Sequence, residues 1–275
     1  MTGQIIKILK NEFIVSCNKN TYTCTLRGKL KKEGITPQVG DYVFFELENS
    51  VIEKIEKRKN SLDRPNVSNI DNALIVTSLT NPEFSTNLLD KLLVICEINN
   101  INPIICLTKK DLLTKEQKKN LNEIIKYYKK IGYKVLYNTN LFKIKKLFKN
   151  KTTVLTGQTG SGKSTLMNKL NKSLNFETNE ISKALGRGVH TTRTVTLVEM
   201  YKGKVLDTPG FSAIDLNNYT TSQIKQSFKE FNKITCPYKD CNHINEKDCS
   251  VKKEVQNGNI LKSRYTNYLK FIERR

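Results

Sequence analysis

No apolar run in the 275 residues approaches the roughly 18 that a membrane-spanning helix needs. The stretch from Met1 to Phe13 has a short apolar group but neither a long hydrophobic core nor a small-residue cleavage site. A membrane-spanning or secreted protein is therefore not expected, and a cytoplasmic one is. Acid is scarce beside base: 26 Asp and Glu face 47 Lys and Arg, a formal charge of +21 with a pI near 9.6. That excess points to a polyanionic partner. A lysine-rich coding bias, visible also in the many Asn and Ile residues, is the competing account, so charge alone does not name the partner. Only two histidines exist, His190 and His243, which confines any imidazole chemistry to two places. Internal repeats and long low-complexity segments are absent, which excludes solenoid architectures. Cys17, Cys24, Cys96 and Cys106 are scattered among apolar or strand-like neighbours and read as buried thiols of a reducing compartment. Cys236, Cys241 and Cys249 crowd together instead.

A chain of this length leaves room for two or three modules. From Gln4 to about Ile55, short alternating or β-branched runs, such as Tyr22 to Leu26 and Tyr42 to Leu47, are separated by Gly, Asn and Pro. That pattern predicts a small all-β barrel of about five strands, a form that often binds nucleic acid. Arg27, Lys29, Lys31 and Lys32 read as a basic loop between two strands, either a nucleic-acid contact or a solvated charged loop. After Pro65 the texture changes. Ala73 to Thr77, Pro103 to Leu107, Tyr133 to Tyr137 and Thr152 to Thr156 read as buried parallel strands, with helices near Leu88 to Asn99 and Glu116 to Lys130. This is a doubly wound α/β domain ending near Asp215, followed by a polar, helix-rich tail.

Gly157-Gln158-Thr159-Gly160-Ser161-Gly162-Lys163-Ser164 fits the phosphate-loop pattern and lies between a strand-like run and a helix opening at Thr165. Glycines there let backbone N–H groups turn toward a phosphate, Lys163 adds a charge at the β and γ positions, and Ser164 is a ligand for Mg²⁺. Thr108-Lys109-Lys110-Asp111 follows a predicted buried strand, as the base-reading element of GTPases does. A carboxylate at Asp111 accepts from both N1–H and the 2-amino group of guanine, which adenine does not offer. Asp207-Thr208-Pro209-Gly210 matches the DxxG element, whose Asp acts on Mg²⁺ through water and whose Gly N–H meets the γ-phosphate. The base-reading element precedes the phosphate loop, which precedes DxxG, whereas an ordinary GTPase places the base-reading element last.

Near the carboxyl end, Cys236, Cys241, His243 and Cys249 supply three thiolates and one imidazole over a short span. Soft S₃N donors suit Zn²⁺, and four protein ligands leave no open position, so one structural zinc is expected. Arg264, Tyr265, Tyr268, Lys270, Arg274 and Arg275 on a terminal helix read either as an RNA-contacting surface or as a packed helix with a solvated face.

At this point the chain resembles a known family, the circularly permuted ribosome small-subunit-dependent GTPases of RsgA type. The resemblance rests on Arg27-Gly28-Lys29 and Val39-Gly40-Asp41 in the barrel, Leu62-Asp63-Arg64-Pro65 with Asn69-Ile70-Asp71 at the junction, and Gly186 to Arg193 between the phosphate loop and DxxG. It implies an OB-fold RNA-binding domain over 1–64, a circularly permuted G domain over 65–215 and a helical zinc-binding domain over 216–275. It also implies hydrolysis of GTP to GDP and phosphate, stimulated by the small ribosomal subunit during late maturation, with rRNA as partner; a monomer is expected. Gly186 to Arg193 would be the first switch, with Thr191 or Thr192 closing on Mg²⁺. The residue after DxxG is Phe211, where many GTPases place a water-orienting Gln, and the resemblance marks His190 as the candidate for positioning the water. Thr108 stands where many members carry Asn, which predicts the loss of a loop-bracing amide. Asn138-Thr139-Asn140 stands where members carry a Ser-Ala-like stretch. Two other functions compete: a P-loop ATPase or nucleotide kinase, against which Asp111 argues, and a GTP-regulated RNA-binding adaptor with little turnover, which Phe211 keeps open.

Overall fold

Alternation of inward and outward side chains builds the amino-terminal barrel. In the computed structural model, which describes residues 1–63, 66–171, 195–207 and 215–273, strands β1 (Thr2–Leu9), β2 (Glu12–Cys17) and β3 (Asn20–Leu26) are followed by the short helix α1 (Gly28–Lys32), then β4 (Tyr42–Glu46) and β5 (Val51–Ile55). The five strands close in the order β1-β2-β3-β5-β4. On β4, Val43 and Phe45 point into a core shared with Ile5, Phe13, Val15 and Ile52, while Tyr42, Phe44 and Glu46 face out. Period-2 patterning gives each strand one apolar face, and closing the sheet turns all five faces onto one core and leaves no free edge. The basic segment read as a loop is α1 instead, and the difference has a packing reason: Leu30 enters the barrel core, which a helical turn allows while its lysines stay in water.

Asp41 explains the Val39-Gly40-Asp41 motif. Its carboxylate is fully buried and accepts from Arg58 Nε (2.7 Å) and Nη2 (2.8 Å), from Ser68 Oγ (2.6 Å) and from Gln38 N (2.8 Å). Gly40, at φ 103°, leaves no room for a Cβ beside the Ser68 carbonyl. The motif therefore ties the barrel to the junction strands β6 (Ser61–Asp63) and β7 (Asn66–Ser68).

A larger sheet follows, with β8 (Asn72–Ser78), α2 (Thr86–Ile98), β9 (Asn102–Thr108), α3 (Lys115–Lys130), β10 (Lys134–Tyr137), α4 (Leu141–Phe148), β11 (Thr152–Thr156), α5 (Lys163–Leu170), β12 (Leu197–Met200) and β13 (Gly203–Asp207). Strand order is β10-β9-β8-β11-β13-β12. The β9/β10 and β11/β13 pairs are parallel, as the unbroken apolar runs predict, and β12 joins as an antiparallel edge. Ser85 caps α2, and a capping box of Thr114 and Gln117 opens α3. The carboxyl region holds α6 (Thr221–Ser227), α7 (Ser250–Gln256) and α8 (Lys262–Glu273).

The described chain falls into two compact units: one of residues 1–63, 66–74, 139–156, 163–171 and 195–207, the other of 75–138, 157–162 and 215–273. In the second, α8 packs on α2 and α6 around a buried charge cluster. Arg264 is fully buried and donates to Asp90 Oδ1 (2.7 Å) and through Nε and Nη2 to both oxygens of Glu230 (2.7 and 3.0 Å). Tyr128 and Asn267 also donate to Asp90, each at 2.6 Å. On the terminal helix, Arg264 and Tyr268 belong to a packed face, and Lys270 remains exposed. Arg274 and Arg275 lie outside the described residues. Cys17, Cys24, Cys96 and Cys106 are all buried, and burial pushes the Cys106 thiol up to about 12.

Candidate functional site

β11 ends at Thr156, and the chain turns through Gly157–Gly162 before entering α5. Gly157, Gly160 and Gly162 sit at φ 137°, 76° and 94°, backbone states that other residues adopt only with strain. Gly157 is also sterically obligatory, since a Cβ there would run into the Val76 carbonyl of β8. Lys163, Ser164 and Thr165 form the first turn of α5.

The end of β9 holds this loop. Thr108, 2% exposed, donates its Oγ1 to the Ser161 carbonyl at 2.6 Å. Lys109 follows in the left-handed region (φ 58°, ψ 31°), and its Nζ donates to the carbonyls of Gly160, at 2.9 Å, and Asn81. The Thr and Lys of the base-reading element thus grip two consecutive carbonyls of the phosphate loop. The bracing contact expected to be lost at position 108 is present, because a hydroxyl on the short threonine side chain reaches the carbonyl unaided. Asp111 lies in a single 3-10 turn, Lys110–Leu112, and is exposed. The backbone N–H of Asn138 donates to the Leu107 carbonyl at 2.9 Å, so the segment after β10 begins beside the base-reading element.

β13 ends on Asp207, whose backbone pairs in register with Leu155 of β11. β11 and β13 thus run in the same direction and end at matching registers, at the carboxyl edge where open α/β sheets bind ligands. Gly210 and Phe211, and the switch segment with His190, Thr191 and Thr192, lie outside the described residues, and Asp207 is described in its backbone only.

Cys236, Cys241, His243 and Cys249 converge in the carboxyl region, their ligand atoms all within 4.8 Å of one another. His243 Nδ1 lies 3.3 Å from Cys241 Sγ, 3.3 Å from Cys249 Sγ and 3.6 Å from Cys236 Sγ, and the Cys236 and Cys249 sulfurs are 3.9 Å apart. Zn–S bonds of about 2.3 Å at tetrahedral angles place sulfurs about 3.8 Å apart, so the donor set and its spacing fit Zn²⁺. Burial, then Lys225, lowers the His243 pKa and keeps the imidazole neutral, the form that ligates. Burial pushes the Cys241 thiol up to about 12 and also raises Cys249. Cys236 goes the other way: burial opposes ionisation, but the N–H groups of Val251 and Ser250 outweigh it.

Sequence patterning did not reveal what holds this cluster. Lys225 Nζ donates to the Cys241 carbonyl (3.0 Å), Tyr265 to the His243 carbonyl (2.7 Å) and Tyr268 to the Asn242 carbonyl (2.5 Å). Glu246 accepts from the N–H groups of Asn242 and Ile244, both at 2.7 Å. The tyrosines read as a possible RNA surface therefore face the loop that carries the ligands.

The family described as RsgA GTPase matches residues 55–217, and that described as RsgA N-terminal domain matches residues 2–52. The chain belongs to the RsgA GTPase family. It is 42% identical to the small ribosomal subunit biogenesis GTPase RsgA of Latilactobacillus sakei over 98% of this chain and 94% of the relative. Against that of Enterococcus faecalis the identity is 42%, over 99% and 94%. Among solved structures, YloQ, described as a circularly permuted GTPase, superposes with a TM-score of 0.84 at 33% identity, covering 99% of this chain and 94% of that one. YjeQ from Thermotoga maritima gives 0.86 at 31% identity, covering 99% and 97%. As an RsgA-family member the chain is a GTPase whose motifs run in permuted order. Among the described residues no helix is long and apolar enough to cross a membrane.

Proposed function

We propose that this GTPase acts in late maturation of the small ribosomal subunit, as a cytoplasmic monomer that binds GTP, is stimulated by the subunit and leaves after hydrolysis. The reading is carried by a phosphate loop braced by Thr108 and Lys109, in a chain 42% identical over nearly its whole length to a relative named for small-subunit biogenesis. Its three parts are an OB-fold over 1–64, a permuted G domain over 65–215 and a zinc-binding domain over 216–275. The first and last contact rRNA, in keeping with the charge of +21.

In this reading, residues Gly157 to Thr165 hold the phosphates, with Lys163 supplying charge, and Asp111 accepts from the guanine edge. Ser164, Asp207 and Thr191 or Thr192 would hold Mg²⁺, which neutralises charge on the phosphate oxygens when bound. His190 orients the attacking water in place of the Gln that Phe211 replaces. The permutation supplies a route to the partner: DxxG leads almost directly into the zinc-binding segment, so loss of the γ-phosphate is passed along the chain to the rRNA-binding end.

The test is phosphate release from GTP and ATP by the purified protein, alone and with isolated small or large subunits, at low and moderate salt. Slow GTP turnover raised by small subunits alone, and weakened by salt, is expected. Equal use of ATP, or indifference to subunits, would refute the reading. His190→Ala is expected to lower the stimulated kcat by roughly tenfold or more with GTP still bound; an unchanged kcat removes His190 from the mechanism.

The brace has its own consequence. Thr108→Val keeps the shape but removes the donor to Ser161, and GDP affinity, read by titration with a fluorescent analogue, is expected to fall about three- to tenfold. Thr108→Ser should restore it. A valine variant that binds as tightly as the parent would show that the brace does not set the loop.

A further inference from the structure

From Ile124 to Asn171 the chain carries eleven lysines and no acidic side chain. Helix α4 lies in the middle of this stretch, with Lys143, Lys145, Lys146 and Lys149 on it or just after it, while Lys151 beyond them pairs with Asp71 at 3.3 Å. Ile144 and Phe148 anchor its inner face. Phe142, on the outer face, is 71% exposed, more than any other large apolar side chain among the described residues. Phe142, Lys146 and Lys149 follow one another at i, i+4 and i+7, forming a single exposed stripe. Lys146 Nζ sits 4.9 Å from the centre of the Phe142 ring, and Lys145 Nζ sits 5.0 Å from that of Tyr201 in the β12–β13 turn. The same turn closes on the end of α4 through the Asn150 N–H, which donates to the Lys202 carbonyl at 2.9 Å. An aromatic ring held in water serves no packing purpose, and a cation laid on it is how proteins receive a nucleobase and its phosphates.

We propose that the solvent face of α4 is a further RNA-docking surface, on which Phe142 stacks an unpaired base while Lys143, Lys146 and Lys149 take the neighbouring phosphates. This rests on the ribosomal-RNA reading and extends it from the two end domains to the GTPase domain itself. Residues three and four apart on a helix lie about 5–6 Å from one another, so flexible lysines there reach successive phosphates of one strand. The barrel offers a weaker alternative, since exposed Tyr42 and Phe44 share their strand face with Glu46, and the electrostatic surroundings of Tyr42 include Glu56 and Asp71.

The test uses the full chain, a labelled single-stranded RNA of about 20 nucleotides and isolated small subunits, with binding followed by anisotropy and co-sedimentation across a salt series. Phe142→Ala is expected to weaken RNA binding about tenfold. The combined Lys143→Glu, Lys146→Glu and Lys149→Glu variant should weaken it further and flatten the slope of log affinity against log salt by about two. An equal charge change on the exposed face of α3, Lys119→Glu, Lys126→Glu and Lys130→Glu, is the control and should cost much less. Equal losses from the α3 and α4 variants, or unchanged binding by Phe142→Ala, overturn the proposal. So does Phe142-dependent binding to vesicles of anionic phospholipid in preference to RNA. If the parent chain binds neither RNA nor subunits, the ribosomal reading falls as well; if the parent binds and the α4 variants bind equally, only this inference falls.

Discussion

Arg264→Met is expected to lower the stability of the unit that holds α8 by about 3–5 kcal/mol, one of the largest effects of any single change in this chain. Among the described residues the guanidinium is the sole cation in contact with two buried carboxylates, Asp90 and Glu230. Burial pushes the Asp90 carboxyl above the ordinary carboxylate range, and Arg264, Tyr128 and Asn267 act against that push by donating to its ionised form. The two carboxylates in turn hold Arg264 charged despite its own burial. Its guanidinium carbon also lies 4.3 Å from the centre of the Phe228 ring. Methionine fills much of the volume but leaves both carboxylates without their cation, so the cost comes from stranded charge rather than from a cavity. Urea unfolding followed by tyrosine fluorescence, which no tryptophan obscures, measures it. The triple variant Arg264→Met, Asp90→Asn, Glu230→Gln should recover most of the loss, because replacing all the charges removes the stranded ones. A single variant as stable as the parent would mean that the cluster contributes nothing net.

Cys241→Ser should remove the metal and unfasten the carboxyl region. Freshly purified protein is expected to carry one zinc per chain, and the serine variant almost none. Structural zinc sites in small domains bind with apparent free energies of about 10–16 kcal/mol, so the loss is far larger than that of one buried side chain. The readouts are elemental analysis and limited proteolysis, with new cleavage expected between Cys236 and Cys249. Because the ligands bind as thiolates and neutral imidazole, protons compete with the metal, and the zinc should be released as pH falls. A zinc-free parent chain, or a serine variant as protease-resistant as the parent, would refute a structural site.

Both effects come from residues that the linear pattern treats very differently. Cys236, Cys241, His243 and Cys249 announce themselves because the chemistry needs four donors within one short loop, so their spacing is their signature. The phosphate loop is legible for the same reason: Gly157, Gly160, Gly162 and Lys163 form one turn contiguous in sequence. Asp90, by contrast, is one charge in the apolar run of α2, and nothing nearby in sequence says that its partner stands 174 residues away. Thr108 looked like a weakened Asn until the fold carried it to Ser161, 53 residues on. Arg27 to Lys32 looked like a loop because a five-residue helix is too short to show a period.

The sequence by itself therefore determined the nucleotide class, the permuted motif order, the barrel-then-α/β organisation and the donor set for zinc. Each is written in local spacing or in the alternation of neighbouring residues. Only the tertiary structure decided which charges are buried, which aromatic faces water and which hydroxyl braces the phosphate loop. Those outcomes depend on which elements meet, and a chain can bring any two distant residues together at a cost that grows only with the logarithm of their separation. Arg264 and Lys270 share a helix and a charge; one ended in the core and the other in solvent because α8 presents one of them to α2 and the other to water.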